Sequence, residues 1–487
     1  MPATTLDVDL LFAAPGREAP LRGARVVMEG GAVASVGEAP SGSGTGLMAM
    51  PALADAHDHC RGLHHVAFGA RDQNFELWRA ALYAQPPIDP YLNAALALGR
   101  LAQSGVGSVM CVYSSIRVDR MVEDAAKIAK AANDVGVRLG FVVPLRDRQT
   151  LGYGEDDALL ARHDPQDHDF IRQTWLYPFP DPATYMDLVA EIAARIEGPL
   201  VSVHYGPNSP QACSDALLSA MAEASAADGR RVTTHLLETS IQRAWADATY
   251  PGGFVRHLAD LGVISPRFTG AHGVWLRPGD VDILAGHDAQ IAINASSNLR
   301  LRSGLAPVAD YIRAGMRFSF GVDSFAFDDD EDALRELRIA NWLFSPHDSP
   351  APLTLPHLFD GWHRNGFLAV NGRDDYGTVA PGAAADFVVL SYDDMAFDVI
   401  DGMIDPIEVF LARASARHVR SVVVAGREIV RDGRVLGVDL PSIEREVIAQ
   451  ARANGERMRA LKSVTERSQA TLRAWYEGGE HTRGAAG

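Results

Sequence analysis

Between about Met50 and about Phe344, short apolar runs alternate with longer stretches of helical spacing. The runs fall at 52–57, 107–113, 137–145, 200–205, 231–237, 268–272, 289–295 and 317–323. They are rich in β-branched and aromatic residues, as strands are. The stretches between them, such as 120–134 and 215–229, carry apolar residues three and four apart, the period of an amphipathic helix. Eight β-runs separated by helices predict an α/β fold, a (β/α)8 TIM barrel. The flanks read differently. LDVDLLFAA, ARVVMEGG and AVASVGE in the first 48 residues are short strands broken by Gly and Pro. ADFVVLSY (385–392) and the segment 417–437, with its GREIVRDGRV hairpin, are the same kind of sequence. These two groups predict one small β-sandwich domain built from both chain ends. The expected layout is 1–49 and 384–439 for the sandwich, 50–383 for the barrel, and 440–487 for a C-terminal helix and tail. Ile443, Val447, Ile448 and Ala451 give that helix an apolar stripe, read as packing on its own subunit.

Length alone, 487 residues, suggests about three domains; the pattern reduces this to two. Composition is ordinary for a globular chain, 47% hydrophobic and 22% charged. The net charge of −17 argues against nucleic acid or an anionic membrane as partner. No apolar run approaches the roughly 18–20 residues of a membrane span. Cys60, Cys111 and Cys213 cannot build a disulfide framework, and the N-terminus lacks a basic n-region, so a reducing cytoplasm is the expected compartment. The only lysines are Lys127, Lys130 and Lys462.

The chemistry-bearing signal is His57-Asp58-His59 at the end of the first barrel run. Residues i and i+2 of a strand face one way, so both imidazoles point to the C-terminal mouth, where barrel chemistry sits. His235 ends the fifth run, His272 the sixth and Asp323 the eighth. Imidazole and carboxylate are ligands for zinc and similar ions. Glu238, three residues after His235, lies where the chain turns out of the strand, beside water at such an ion. A bound divalent ion lowers the pKa of water from 15.7 to about 7, which makes hydroxide available at neutral pH.

The ordered motifs resemble the amidohydrolase superfamily, in the branch of cytosine deaminase, guanine deaminase and triazine hydrolases. MPALADAHDH is similar to Pro-Gly-Leu-Ile-Asp-x-His-x-His, GPNSPQACSDALL to Gly-Pro-His-x-Pro, and THLLET to His-x-x-Glu-Thr. ASSNLRLRSGLAPV is similar to Ser-Asn-x-x-Leu-x-x-Gly-x-x-Pro, and YGTVAPGAAADFVVL to the closing Gly- and Ala-Asp-containing motif. The resemblance implies that His57, His59, His235 and Asp323 bind one divalent metal, zinc or iron. It implies that Glu238 shuttles a proton, that His272 positions or polarises the substrate, and that Asp323 also accepts a proton from water. It implies a homo-oligomer, a dimer or tetramer, acting on a small molecule. Binuclear relatives bridge two metals with a carboxylated lysine after the fourth strand. No lysine lies between Lys130 and Lys462, so a mononuclear site is expected. His204 is read as a satisfied strand histidine.

Departures from the family pattern bear on the substrate. Asn208 replaces the His of Gly-Pro-His-x-Pro, Asn294-Ala295 replaces a common Asn-Pro or Cys-Pro pair, and the eighth strand ends GVDSF. Phe68, Tyr205, Asn208, Trp275, Ser297 and Asn298 are the expected substrate contacts, with Trp78, Phe325 and Phe327 as further aromatic walls and 146–183 as a candidate lid. The expected reaction is hydrolytic deamination of an aromatic nitrogen heterocycle. Hydrolysis of an amide, urea or carbamate uses the same machinery. A non-catalytic binding protein on a decayed barrel would have lost ligands that are all present here.

Overall fold

The computed structural model describes residues 3–115, 117–345 and 351–483; positions 484–487 of the expected tail lie outside them. The barrel strands are β5 (Leu53–Asp58), β6 (Val106–Val112), β7 (Arg138–Leu145), β8 (Val201–Pro207), β9 (Val232–Leu236), β10 (Phe268–His272), β11 (Gln290–Ile293) and β12 (Arg317–Phe320). All adjacent pairs are parallel, in the order β5 to β12. Such strands are covered on both faces, so they read as continuous apolar runs; every residue of β6 is buried. The ring closes just beyond β12, where the Asp323 N–H donates to the His57 carbonyl at 2.9 Å and the Val322 N–H to Asp55 Oδ1 at 3.2 Å. Helix Gly366–Asn371 plugs the N-terminal end, with Ala369 and Val370 packed among Ala56, Met110, Val142 and Ala292 inside the barrel.

The chain ends form a second sheet. β1 (Thr4–Leu11), β2 (Leu21–Glu29), β3 (Ala32–Glu38) and β4 (Leu47–Pro51) join β13 (Phe387–Ser391), β14 (Val419–Val424), β15 (Arg427–Arg431) and β16 (Arg434–Val435). The expected sandwich is realised as one continuous sheet, ordered β16-β15-β14-β13-β4-β1-β2-β3, that encloses its own core of Val8, Leu11, Val26, Phe387, Val389 and their neighbours. β4 pairs antiparallel with β13 as far as Pro51↔Phe387, so the change of sheet falls after Pro51, not after Ala49. Arg138 on β7 clasps the buried Asp386 at 2.7 Å, tying the sheet to the barrel.

The C-terminal helix is two helices, Leu440–Ala453 and Gly455–Glu477, where the periodicity predicts one. The break is at Asn454, whose side chain caps the first helix by donating to the Gln450 carbonyl at 2.9 Å. The second helix packs on its own chain: Trp475 Nε1 donates to the Tyr153 carbonyl at 3.0 Å and Arg467 pairs with Asp167 at 2.6 Å. Among the described residues, no helix is long and apolar enough to cross a membrane.

Candidate metal centre

His57, His235 and His272 bring one ligand atom each within 4.8 Å of one another, and so do His57, His59 and Asp323. Each comes from a different strand end except the β5 pair, whose spacing puts both rings on one side. His57 Nε2 and His59 Nε2 each lie 3.2 Å from Asp323 Oδ1, and His235 Nε2 lies 3.4 Å from His59 Nε2. The His59 and His235 rings stack, with centroids 5.4 Å apart.

Neighbouring carbonyls set the ring orientations. His59 Nδ1 donates to the Val112 carbonyl at 2.7 Å, and His235 Nδ1 to the Asn208 carbonyl at 2.6 Å. That leaves both Nε2 lone pairs facing inward, as in ligated histidines. Both ring nitrogens of the fully buried His57 lack a hydrogen-bond partner. Burial pushes His57 down to about 4, with the Asp323 carboxylate opposing. Burial, then the neighbouring imidazoles, holds His235 well below the usual range. Burial would raise Asp323, but the imidazoles of His57 and His59 beside it hold its carboxyl well below the usual carboxylate range. The imidazoles of His57 and His235, held neutral beside an ionised carboxylate, and the unpartnered buried nitrogens of His57 fit a divalent cation, and three nitrogens with one oxygen suit zinc.

Glu238 is buried above this group. Burial pushes its carboxyl up to about 7, against the pull of His272. Its Oε2 lies 3.9 Å from His272 Nε2, and Oε1 accepts from Ser303 Oγ at 3.2 Å. Its backbone N–H donates to Gln242 Oε1 at 2.6 Å. His272 Nδ1 is 2.9 Å from Asn298 Oδ1, and Asp323 Oδ2 accepts from Ser297 Oγ at 2.6 Å. His272 and Asp323 themselves sit at positive φ, 72° and 62°. L-residues rarely hold that conformation outside sites whose surroundings enforce it. The enforcing contact at Asp323 is Asp58, which accepts from the Ser324 N–H and from its Oγ at 2.9 Å.

A cavity of about 490 Å³ opens onto His59 and His235 and is lined by Asn208 and Trp78. The segment 146–183 supplies Tyr153, Trp175, Tyr177 and Phe179 to its wall. Other expected substrate contacts lie elsewhere. Tyr205 follows His204 on β8 and so faces the helix layer, where its hydroxyl donates to Asp228 at 2.7 Å. Trp275 is 41% exposed and donates to the Ser303 carbonyl at 2.8 Å. Phe68 lines a separate cleft beside the C-terminal helices. Ser297 and Asn298 hold Asp323 and His272 and do not line the cavity. Phe325 is buried against His65, and Phe327 is 54% exposed. Ser303, Gln242 and Asp58 escaped the sequence reading as site residues, although Ser303 sits inside the ASSNLRLRSG segment. The cavity arginines, Arg61, Arg79 and Arg146 among them, also went unread.

The model of the amidohydrolase family matches residues 48–429. The 5′-deoxyadenosine deaminase of Methanosarcina barkeri is 26% identical over 455 residues, covering 91% of this chain and 95% of that protein. The 8-oxoguanine deaminase of Pseudomonas aeruginosa is 32% identical over 256 residues, covering 53% of this chain and 56% of that protein. Among solved structures, a variant of atrazine chlorohydrolase from Arthrobacter aurescens, complexed with zinc and atraton, superposes with a TM-score of 0.75. It is 20% identical, covering 91% of this chain and 98% of that one.

Proposed function

This chain belongs to the amidohydrolase family, and from that premise we propose that it removes the amino group of a nitrogen heterocycle by hydrolysis, releasing ammonia. Two relatives named for deamination of purine compounds support the reaction class. The observation that carries it is the placement of a proton-exchanging carboxyl, Glu238, beside His272 at the edge of the histidine cluster. His57, His59, His235 and Asp323 would hold one ion, zinc or iron. When bound there, a divalent ion lowers the pKa of water and polarises the group under attack.

The residues of the chain divide the remaining work. Glu238, poised near 7, takes a proton from the attacking water at a carboxylate oxygen and returns it to the departing nitrogen. The C–O bond forms first as water adds to the ring carbon; the C–N bond then breaks, and the amino nitrogen leaves as ammonia only once it has taken that proton. His272, fixed through Nδ1 by Asn298, presents Nε2 to the substrate, and Ser297 holds Asp323 in register. The buried setting of Glu238 keeps its proton from bulk water. We further propose a cytoplasmic protein, its three cysteines being buried and free. It assembles as a dimer or tetramer, for which the exposed apolar side chains of Phe397, Ile400 and Met403 are the support.

The test is Glu238→Gln. It should keep metal while turnover falls about 10²–10⁴-fold, the span general acid–base catalysis contributes. Near-normal turnover would remove the proposal. Ammonia release across aminopurines, aminopyrimidines, aminotriazines and aryl ureas fixes the bond; release from ureas alone would replace deamination by urea hydrolysis.

A further inference from the structure

The chain has 62 acidic and 45 basic side chains. The cavity above the histidine cluster reverses that balance: Arg61, Arg79, Arg117, Arg146 and Arg457 line it, and among the described residues no Asp or Glu does. Among the described residues, only Arg117 of these five has a carboxylate within 4.0 Å, Asp119. The others spend few of their donors. Arg146, 9% exposed, gives one N–H to the Gln149 carbonyl at 3.1 Å, and its Nε is unpartnered. Arg61, also 9% exposed, meets His65 Nε2 at 3.0 Å, and Arg79 donates to the Leu151 carbonyl at 2.9 Å. Glu76, the acid on the helix that carries Arg79, accepts at Oε1 from the Thr239 and Tyr153 hydroxyls. Two buried guanidiniums without a paired carboxylate are costly unless something else supplies the contact.

We propose that the substrate carries an anionic group, a carboxylate or phosphate, which Arg146 and Arg79, with Arg61 also lining the cavity, hold while the ring to be hydrolysed reaches the histidine cluster. A planar guanidinium with five donors matches either oxyanion bidentately. Trp78 and the stacked Tyr83–Trp175 pair, with centroids 4.3 Å apart, give the intervening space flat apolar walls. Burial, and after it the like charge of Arg79, lower Arg146, a cost that an anion would offset.

The inference rests on the proposed hydrolase reading only in taking this cavity as the substrate's. The test is calorimetric binding to the metal-loaded Glu238→Gln protein, so that nothing turns over. The probes are benzoate, phenyl phosphate and the neutral isostere benzamide. At least one anion should bind about tenfold or more tightly than benzamide, and the better of the two identifies the group. Arg146→Gln and Arg79→Gln should each remove most of that preference, and Arg146→Lys, which keeps the charge but not the planar fork, should keep only part of it. If Arg146→Gln does not fold, the half-exposed Arg79 carries the same test. Equal affinity for benzamide overturns the proposal. So does a preference that survives both Arg→Gln changes and disappears only in His235→Ala, since the anion would then sit on the metal. Full turnover by Glu238→Gln would sink the hydrolase reading and leave an anion preference standing; lost turnover without that preference would sink this inference alone.

Discussion

His57 and His204 are both enclosed within the barrel wall, and burial drives both imidazoles far below the usual range, to about 4 and about 3. They differ in what their nitrogens meet. His204 Nε2 lies 2.9 Å from the Val370 carbonyl on the plug that closes the N-terminal end and 3.0 Å from Ser202 Oγ on its own strand, while its Nδ1 is unpartnered among the described residues. Among the described residues, His57 has no hydrogen-bond partner on either nitrogen, and it faces three imidazoles and a carboxylate at the mouth. Burial alone therefore does not separate a packed histidine from a functional one. Convergence does: the packed histidine turns one nitrogen to a carbonyl, and a ligand turns its nitrogens toward other ligands.

That contrast can be broken by paired substitutions. His57→Ala should abolish metal retention and, with it, turnover, read by elemental analysis of the purified protein; retained metal would reduce His57 to packing. Ser297→Ala removes the hydroxyl that holds Asp323 and should cost about 10–100-fold in metal affinity or activity, measured by competition with a chelator. His204→Gln should leave metal and turnover near the parent level while lowering stability by about 1–3 kcal/mol, the cost of disturbing a buried hydrogen bond, read from denaturant unfolding. A loss of metal there would place both histidines in one class.

The smallest effect concerns a buried acid close to the mouth. Glu336 accepts from the Ser296 and Phe327 N–H groups, each at 3.3 Å, and burial pushes it up to about 7 from 4.5. A raised carboxyl pKa means the folded state holds its proton where the unfolded chain has lost it. Its contribution is fully favourable below about 4.5 and declines as pH rises through about 7. Glu336→Gln should flatten that part of the stability profile, between about pH 4.5 and about pH 7, measured by thermal melts. An unchanged slope would assign the pH dependence to other groups.

Much of this was legible in the residue pattern because parallel barrel strands advertise themselves. Continuous apolar runs ending in His or Asp located β5, β9, β10 and the turn after β12. Strand parity could have carried the reading further. If His204 faces the barrel interior, Tyr205 must face the helices, and its hydrogen bond to Asp228 follows from that alternation. The roles of Ser297 and Asn298 were hidden because they depend on the short helix Ala295–Arg300 turning both side chains back to the ligand cluster. The arginines were hidden for another reason: a charge is conspicuous only when its missing partner can be seen, and a sequence does not display partners. The tail broke at Asn454 because local capping there competes with helix continuation.

The most direct measurement is the metal content of the purified protein and of His235→Ala, determined together. The expected result is about one equivalent of zinc or iron per chain in the parent and almost none in the variant. Two equivalents in the parent, or the same content in both proteins, would contradict a single ion held by His57, His59, His235 and Asp323.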